Sequence, residues 1–229
     1  MYRPPLKCRP VALRLQVFNF FMVSLMLTKI VLASGNAGKL KEFNALLQPL
    51  GVTVIPQGSL NISDAPEPYV TFVENALTKA RHASALSGLP AMADDSGLCV
   101  RALGGAPGIH SARYAETESG VRSDLANNQK LIKNLENIAD RHAWYVAVLV
   151  FLRHAEDPQP IIAEANWQGQ IVDQPSGTNG FGYDPHFFIP DQGCTVASLD
   201  PVIKNRISHR GMAMQLLLAK LREQGLTQP

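Results

Sequence analysis

Apolar runs typical of strands alternate with segments of helical apolar spacing along most of this 229-residue chain. The first unit is an apolar run over 30–33, a glycine-rich turn and a helix pattern over 39–47. A second strand is predicted over 52–55, and a long helix over 70–86. This alternation predicts a fold of the α/β class.

The centre of the chain predicts short elements separated by turns. At the start of the long helix, Thr71 and Glu74 have the spacing of a capping box. Short buried strands over 91–93 and 98–101 flank an Asp-Asp-Ser-Gly stretch that we interpret as a turn. The glycine-rich residues 104–108 predict a loop without regular structure.

The last part of the chain predicts a helix over 123–137 and two long strands over 144–154 and 161–167. A proline-containing turn separates the two strands, which favours an antiparallel pair. A final helix is predicted over 211–224. The sheet is therefore predicted to be mixed, and we place a single domain at 27–225 because no repeat or long linker interrupts it.

Residues 1–25 differ from the rest, since they carry basic residues, no acid and then an apolar stretch. Polar residues interrupt that stretch and no small-residue cleavage site follows, which argues against a signal peptide. We interpret the segment as an N-terminal extension that is disordered or not translated, with Met22 or Met26 as alternative starts. No apolar run reaches the roughly 20 residues that span a bilayer.

The charge and the cysteine content argue against several classes of partner and site. The 21 basic and 19 acidic residues give a net charge of +2, and no basic stripe interleaved with aromatic residues occurs. Neither a nucleic acid polymer nor a membrane is therefore an expected partner. Cys8, Cys99 and Cys194 form no CxxC pair and lie near no histidine pair, which argues against a disulfide framework or a zinc site and predicts a cytoplasmic location.

The first candidate site is the glycine-rich turn between the first strand and the first helix. Backbone N–H groups at a helix start attract anions and Lys39 adds a positive charge, so the turn suits a phosphate chain. It is not a P-loop, because no Ser or Thr follows the lysine. A plain glycine turn with a surface lysine would explain the same residues. The candidate phosphate-binding residues are Ser34, Gly35, Asn36, Ala37, Gly38 and Lys39.

The second candidate site is the adjacent pair Asp94 and Asp95. Successive strand residues point to opposite faces, so both carboxylates reach one cleft only if the chain turns between them. A carboxylate beside a bound triphosphate can hold Mg²⁺ and orient or deprotonate a water. An Asx-turn, in which Asp95 caps the following loop, would explain the same residues.

Two further segments carry candidate ligand-binding residues. The stretch 177–185 contains three glycines and two aromatic residues, and the Phe181 ring can stack on a nucleobase. A bulged hairpin with aromatic packing is the alternative. Lys204 and the segment 208–211 bring two cations and an imidazole to the start of the last helix, where amide donors are free. The alternative there is a solvated helix start.

In this order and with these spacings, the four segments resemble the inosine triphosphate pyrophosphatase family, whose bacterial members are dITP/XTP diphosphatases. The likeness runs from about residue 27 to about residue 222. The matching blocks are SGNAGK at 34–39, TFVENALTKARHA at 71–83, ADDSGL at 93–98, LGGAPGIHSARY at 103–114, GFGYDP at 180–185 and SHRG at 208–211.

The resemblance implies an elongated mixed β-sheet flanked by helices, with two lobes and a nucleotide cleft between them, a fold shared with Maf-like proteins. It implies a homodimer that requires Mg²⁺. It also implies hydrolysis of dITP, ITP, XTP and dXTP to the monophosphate and pyrophosphate, which clears deaminated purines from the nucleotide pool.

The resemblance also assigns roles to residues. Asp95 matches the catalytic general base, and Asp95 and Glu67 match the magnesium ligands. Pro66 stands where many relatives have a second acid, so Glu74 remains an alternative supporting acid, and Lys79 on the same helix is a further candidate to assist. Besides the 34–39 turn, the implied substrate-binding residues are Ser96, Phe181, Gly182, Tyr183, Asp184, Lys204, His209 and Arg210.

Two other function classes fit parts of this pattern. A Maf-like pyrophosphatase would have a similar start and chemistry but would prefer other bases. A non-catalytic nucleotide sensor would bind without turnover. The SHRG block favours the purine enzyme over the first class, and the combination of Asp95, Lys39 and a supporting acid argues against the second.

Overall fold

The core of the fold is a mixed seven-stranded sheet, seen in a computed structural model that describes residues 27–115 and 123–227. The strand order is β2-β1-β3-β4-β5-β6-β7. β1 is parallel to β2 and β3, and the pairs from β3 to β7 are antiparallel. The predicted mixed α/β sheet is confirmed. The strands are β1 Lys29–Leu32, β2 Thr53–Pro56, β3 Ala91–Val100, β4 His142–Leu152, β5 Ile161–Ile171, β6 Phe187–Ile189 and β7 Cys194–Thr195.

Helices cover both faces of the sheet. α2 packs alanines against β1, β3 and β4 on one face, while α1 and α5 contribute residues such as Phe43 and Leu217 to a core with β4 and β5. A third apolar cluster lies towards the other end of the long strands and includes Leu131 of α3. The helices are α1 Ala37–Leu47, α2 Phe72–Ser87, α3 Asp124–Asn134, α4 Pro201–Ile207 and α5 His209–Glu223.

The predicted turn within the Asp-Asp-Ser-Gly stretch is wrong, because β3 is one continuous strand of ten residues. All ten residues pair with β4, including Asp94 with Leu149 and Asp95 with Val148. Cross-strand pairing and burial here override the turn propensity of the local sequence. Asp94 and Asp95 therefore point to opposite faces of the strand. Because β1 pairs with β3 only at Ala91 and Met92, both carboxylates lie beyond the end of the β1 pairing.

Capping side chains set the helix starts near the predicted positions. Thr71 caps α2, and its hydroxyl accepts from the backbone N–H of Glu74 and donates to the Glu74 carboxylate at 2.5 Å. Ser123 caps α3, and its hydroxyl accepts from the backbone N–H of Ala126. The last helix begins two residues earlier than predicted, at His209, because Ser208 is its N-cap. The short helix α4 and the short strands β6 and β7 were not predicted.

The predictions for residues 1–25 lie outside the described residues. In the two stretches that the structure describes, no helix combines the length and the apolar character that crossing a bilayer requires.

Candidate active site

A cavity of about 690 Å³ opens where β3 extends beyond β1. It brings together the four segments that the sequence singled out. Of the predicted substrate-binding residues, only Ala37 and Gly38 do not line it; Gly38 packs under the Phe181 ring, where a Cβ would lie 3.1 Å from Phe181 Cε1. The predicted site residues that line the cavity are Ser34, Gly35, Asn36, Lys39, Glu67, Asp95, Ser96, Phe181, Gly182, Tyr183, Asp184, Lys204, His209 and Arg210.

The glycine-rich turn forms the start of α1. Asn36 is the N-cap, and its side chain accepts from the Lys39 backbone N–H at 3.1 Å, while the Ser34 hydroxyl accepts from the Asn36 N–H at 3.2 Å. Lys39 Nζ reaches across to β3 and donates to Asp94 Oδ1 at 2.5 Å. Burial lowers the pKa of Lys39, although Asp94 acts in the opposite direction. The turn thus places amide donors and one ammonium at the cavity wall.

Asp94 is fully surrounded by donors. Besides Lys39, its carboxylate accepts from Arg210 Nε at 2.7 Å and from the Ser96 hydroxyl at 2.8 Å. Burial alone would raise the pKa of Asp94, but Arg210 and Lys39 outweigh it and hold the pKa far below its ordinary value. Asp94 is therefore ionised at all working pH values and acts as the counter-ion of the two cations.

Asp95 has a different environment. Its Oδ1 accepts from Lys79 Nζ at 2.7 Å, but its buried Oδ2 has no hydrogen-bond partner among the residues that the structure describes. Burial raises the pKa of Asp95, although Lys79 acts against that shift. A buried carboxylate oxygen without a partner is costly, so this atom is available for a water or a cation.

Lys79 joins a second carboxylate to Asp95. Its Nζ donates to Glu67 Oε1 at 2.9 Å, and Arg113 donates to the other Glu67 oxygen at 3.2 Å. Burial works to raise the pKa of Glu67, but Lys79 and Arg113 outweigh it and the net shift is downwards. Glu74 does not line the cavity; it is exposed and bound to its own cap residue. The structure thus brings Glu67, and not Glu74, to Asp95.

The two carboxylates fit a hard cation. Asp95 and Glu67 converge on one ammonium, and Asp95 offers a free oxygen. Within residues 27–115 and 123–227, no group of three or more His, Cys, Asp or Glu residues is arranged to hold a metal. Mg²⁺ is commonly held by one or two carboxylates together with substrate phosphates and water. Asp95 and Glu67 provide two such carboxylates, so these residues fit Mg²⁺ bound in this way.

Another part of the cavity lining is the glycine loop that carries Phe181. Asp184 organises this loop, because its carboxylate accepts from the Phe181 backbone N–H at 3.0 Å, from Lys204 Nζ at 2.8 Å and from the Tyr145 hydroxyl at 3.1 Å. Lys204 Nζ also lies 4.9 Å from the centre of the Phe181 ring. Tyr183 is buried, and its hydroxyl donates to the carbonyl of Ser111.

His209 and Arg210 are the first two residues of α5 and are both buried. The His209 ring stacks on Tyr145, with centroids 4.7 Å apart, and its Nδ1 has no hydrogen-bond partner in the described part of the chain. Burial and the nearby Arg210 hold the pKa of His209 well below its ordinary value, so the imidazole is neutral. Arg210 forms a close ion pair with Glu42 of α1 as well as its contact with Asp94.

This geometry agrees with comparisons to known proteins, since residues 30–220 match the model of the Ham1 family. The chain belongs to the Ham1 family. Similar relatives include the dITP/XTP pyrophosphatase of Bordetella pertussis, 61% identical over 87% of this chain and 93% of the relative. That of Neisseria meningitidis serogroup A is 62% identical over 84% of this chain and 96% of the relative. A solved HAM1 protein from Coxiella burnetii is 46% identical, with a TM-score of 0.79 over 86% of this chain and 100% of that protein. The resemblance and the fold inferred from sequence are confirmed.

Sequence reasoning missed several residues in or beside this Ham1-family site, among them Glu42, Arg113 and Tyr145. Glu42 follows Lys39 by three positions in α1, so helical spacing could have placed it on the same face. Arg113 lies in the LGGAPGIHSARY block, and its positive charge could have marked it as a candidate site residue. Tyr145 lies in the apolar run of β4, where nothing in the local sequence indicates its hydrogen bond to Asp184.

Proposed function

We propose that this Ham1-family protein hydrolyses non-standard purine nucleoside triphosphates, namely dITP, ITP, XTP and dXTP, to the monophosphate and pyrophosphate. It would thereby clear deaminated purines from the nucleotide pool. The observation that carries the proposal is the Oδ2 of buried Asp95, which has no hydrogen-bond partner in the described part of the chain and lies in a cavity shared by a phosphate-type turn and an aromatic loop. Relatives about 60% identical carry the name dITP/XTP pyrophosphatase.

In this proposal, two segments of the cavity lining bind different parts of the substrate. The amides at the start of α1 and the Lys39 ammonium suit the triphosphate, since a helix N-terminus and a lysine both favour anions. The glycine loop suits the nucleoside, because the Phe181 ring can stack on the base. We place the reacting phosphorus beside Asp95 and Glu67, which line the same cavity.

Asp95 is the general base in this proposal. Its Oδ2 accepts a proton from a water that attacks the α-phosphorus; the new P–O bond forms as the bond to the bridging oxygen breaks, and pyrophosphate departs with the electron pair. Lys79 holds Asp95 through Oδ1, which leaves Oδ2 for the water. Asp95 and Glu67 would hold Mg²⁺, which supplies charge stabilisation at the phosphates and a more acidic water when it is bound.

Selectivity for 6-oxo purines is expected from the start of α5. The first amides of a helix have no intrahelical acceptor, so those of His209 and Arg210 can donate to a 6-oxo group. Adenine presents a 6-amino donor to the same position, which would leave both donors unpaired. A site built around such a bond can discriminate by about 10⁴. This geometry supports the purine enzyme over the Maf-like alternative.

Pyrophosphate release from ITP, with and without Mg²⁺, is the direct test. We expect release from ITP and XTP that depends on the metal, and little release from dUTP or ATP. Binding of ITP without release by pure, folded protein would instead establish the nucleotide sensor and contradict the enzyme.

We further propose Mg²⁺ as the working cation, a homodimer as the assembled form and the cytoplasm as the location, with no nucleic acid or membrane partner. Activity compared across Mg²⁺, Mn²⁺ and Ca²⁺ tests the metal. Mass measured by light scattering in solution tests the dimer, and a monomer mass at working concentration would contradict it.

A further inference from the structure

α3 holds the loop that carries Phe181 through both backbone groups of one glycine. The Gly182 N–H donates to Asp124 Oδ2 at 2.7 Å, and the Gly182 carbonyl accepts from Asn128 Nδ2 at 2.8 Å. Asp124 and Asn128 are four residues apart in α3, so their side chains project from the same face of the helix. We name Asp124 and Asn128 the Gly182 clamp.

The Gly182 clamp completes the hold on this loop. On the inner side, Asp184 accepts from the Phe181 N–H at 3.0 Å and is itself buried. On the outer side, the next residue is bound to α3. Gly182 has a φ of +63°, a conformation that a glycine readily leaves when nothing holds it. Two hydrogen bonds from a helix therefore restrict one of the three glycines of the loop that have a positive φ.

The position of the Phe181 ring depends on this hold. The ring is 38% exposed, so packing surrounds it only in part. Its neighbours include Gly38 and the Lys204 ammonium, which lies 4.9 Å from the ring centre. A ring that is partly exposed keeps its place mainly through the backbone that carries it, and Gly182 is the adjacent residue of that backbone.

We propose that Asp124 and Asn128 are positioning residues for the purine base, acting through Gly182 on Phe181. They keep the ring in place before the nucleotide arrives, so that binding does not have to order the loop. This inference rests on the proposed function, because it assumes that Phe181 stacks on the base. It adds two residues of α3, of which Asp124 also lines the cavity and Asn128 does not.

Steady-state kinetics with ITP test the Gly182 clamp. Asp124→Ala and Asn128→Ala should each raise KM about fivefold, since one net hydrogen bond is worth about 1 kcal/mol. The kcat should stay within about twofold, because Asp95 and Lys79 are untouched. Asp124→Asn keeps an acceptor oxygen for the Gly182 N–H and should restore a KM near that of the wild type.

Two controls separate positioning from general damage to α3. Asn134→Ala removes the same residue type from the same helix, where it binds the Tyr114 hydroxyl at 2.7 Å, and should leave KM unchanged. In a Phe181→Ala background, the clamp variants should have no further effect on KM. A KM rise that persists without Phe181, or that Asn134→Ala reproduces, would overturn the proposal.

Hydrogen exchange at the Gly182 amide tests the clamp without substrate. Exchange should be faster in Asp124→Ala than in the wild type and unchanged in Asn134→Ala. Equal exchange in all three proteins would overturn the clamp, whereas absence of pyrophosphate release by the wild type would overturn the proposed function. The two failures are therefore distinguishable.

Discussion

Asp94 and Asp95 are consecutive residues of β3, yet the fold gives their carboxylates opposite environments. Asp94 accepts from Lys39, Arg210 and Ser96, and its pKa lies far below the ordinary value. Asp95 accepts from Lys79 through one oxygen only, and burial raises its pKa. The two residues share a strand and a side-chain type, so the difference comes from the elements packed against each face.

The two environments suit different roles: the Asp94 carboxylate holds cations in place, and the Asp95 carboxylate can react. A carboxylate whose oxygens are all satisfied fixes the cations around it and has little affinity for a proton. A buried carboxylate with a free oxygen can bind a cation or take a proton from water. β3 therefore presents a positioning residue on one face and the proposed base on the other.

The largest expected effect is on turnover in Asp95→Asn. The amide cannot accept the proton, so kcat should fall by about 10²–10⁴, the usual contribution of a general base. The fold should not weaken, because the folded protein disfavours the ionised form of Asp95 and the variant removes that charge. Pyrophosphate release and thermal unfolding, measured on the same preparation, check both parts.

Asp94→Asn, unlike Asp95→Asn, should weaken the fold. Arg210 is only 3% exposed at its side chain and would keep Glu42 but lose Asp94 as a counter-charge, and the buried ammonium of Lys39 would lose its ion pair with Asp94. Removing one partner of a buried pair costs about 3–5 kcal/mol of unfolding free energy. Denaturant unfolding measures the loss. Equal stability of the Asp94 and Asp95 variants would contradict the contrast between the two faces.

The pH dependence of stability gives a second measure of Asp94. Its folded pKa lies far below the unfolded value of about 3.9, so its ionisation stabilises the fold above that pH. This stabilisation is lost progressively as the pH falls below about 4. Asp94→Asn should unfold with a weaker dependence on acid than the wild type.

The contrast on β3 could not be predicted from the sequence. The residues Asp94 and Asp95 were identified, but a turn was predicted between them, whereas both line the cavity from one continuous strand. The ten-residue pairing with β4 decides the outcome, and that pairing depends on residues about 50 positions away in the chain. Local turn propensity carries no information about such a partner.

Other parts of the molecule were more predictable because their signals are local. The cap at Thr71 and the antiparallel pair β4 and β5 follow from nearby residues and apolar patterning. α4 was missed because its seven residues are too few for a clear helical period. Glu42 and Arg113 were missed because their ion pairs join segments far apart in the sequence.

A smaller effect is expected from Ser96→Ala on the Asp94 side. The Ser96 hydroxyl donates to Asp94 at 2.8 Å and accepts from Arg210 Nη2 at 3.0 Å. Hydrogen bonds to charged groups contribute about 1.5–3 kcal/mol, so unfolding free energy should fall by that amount. Ser87→Ala is the control, because its hydroxyl also makes two hydrogen bonds, donating to the Ala83 carbonyl and accepting from the Leu89 N–H, but both partners are neutral and each bond should contribute only about 1 kcal/mol. A larger loss in the control would show that the charged network adds nothing at Ser96.

The smallest effect tests the Asp95 side through the pH profile of Glu67→Gln. Activity requires ionised Asp95, so kcat/KM should fall as the pH drops through its raised pKa. Burial is the main cause of that raised pKa, and the charge of Glu67 adds to it. Removing the Glu67 charge also leaves Lys79 to pair with Asp95 alone, so both changes move the acid limb to lower pH.

The control is Glu74→Gln. Glu74 lies outside the cavity, so this variant should leave the acid limb in place. A lost metal ligand would lower the height of the profile without this displacement, so kcat/KM profiles with Mg²⁺ supplied as the substrate complex, which report the metal-free enzyme, separate the two roles of Glu67. A shift to higher pH would assign the limb to a group other than Asp95.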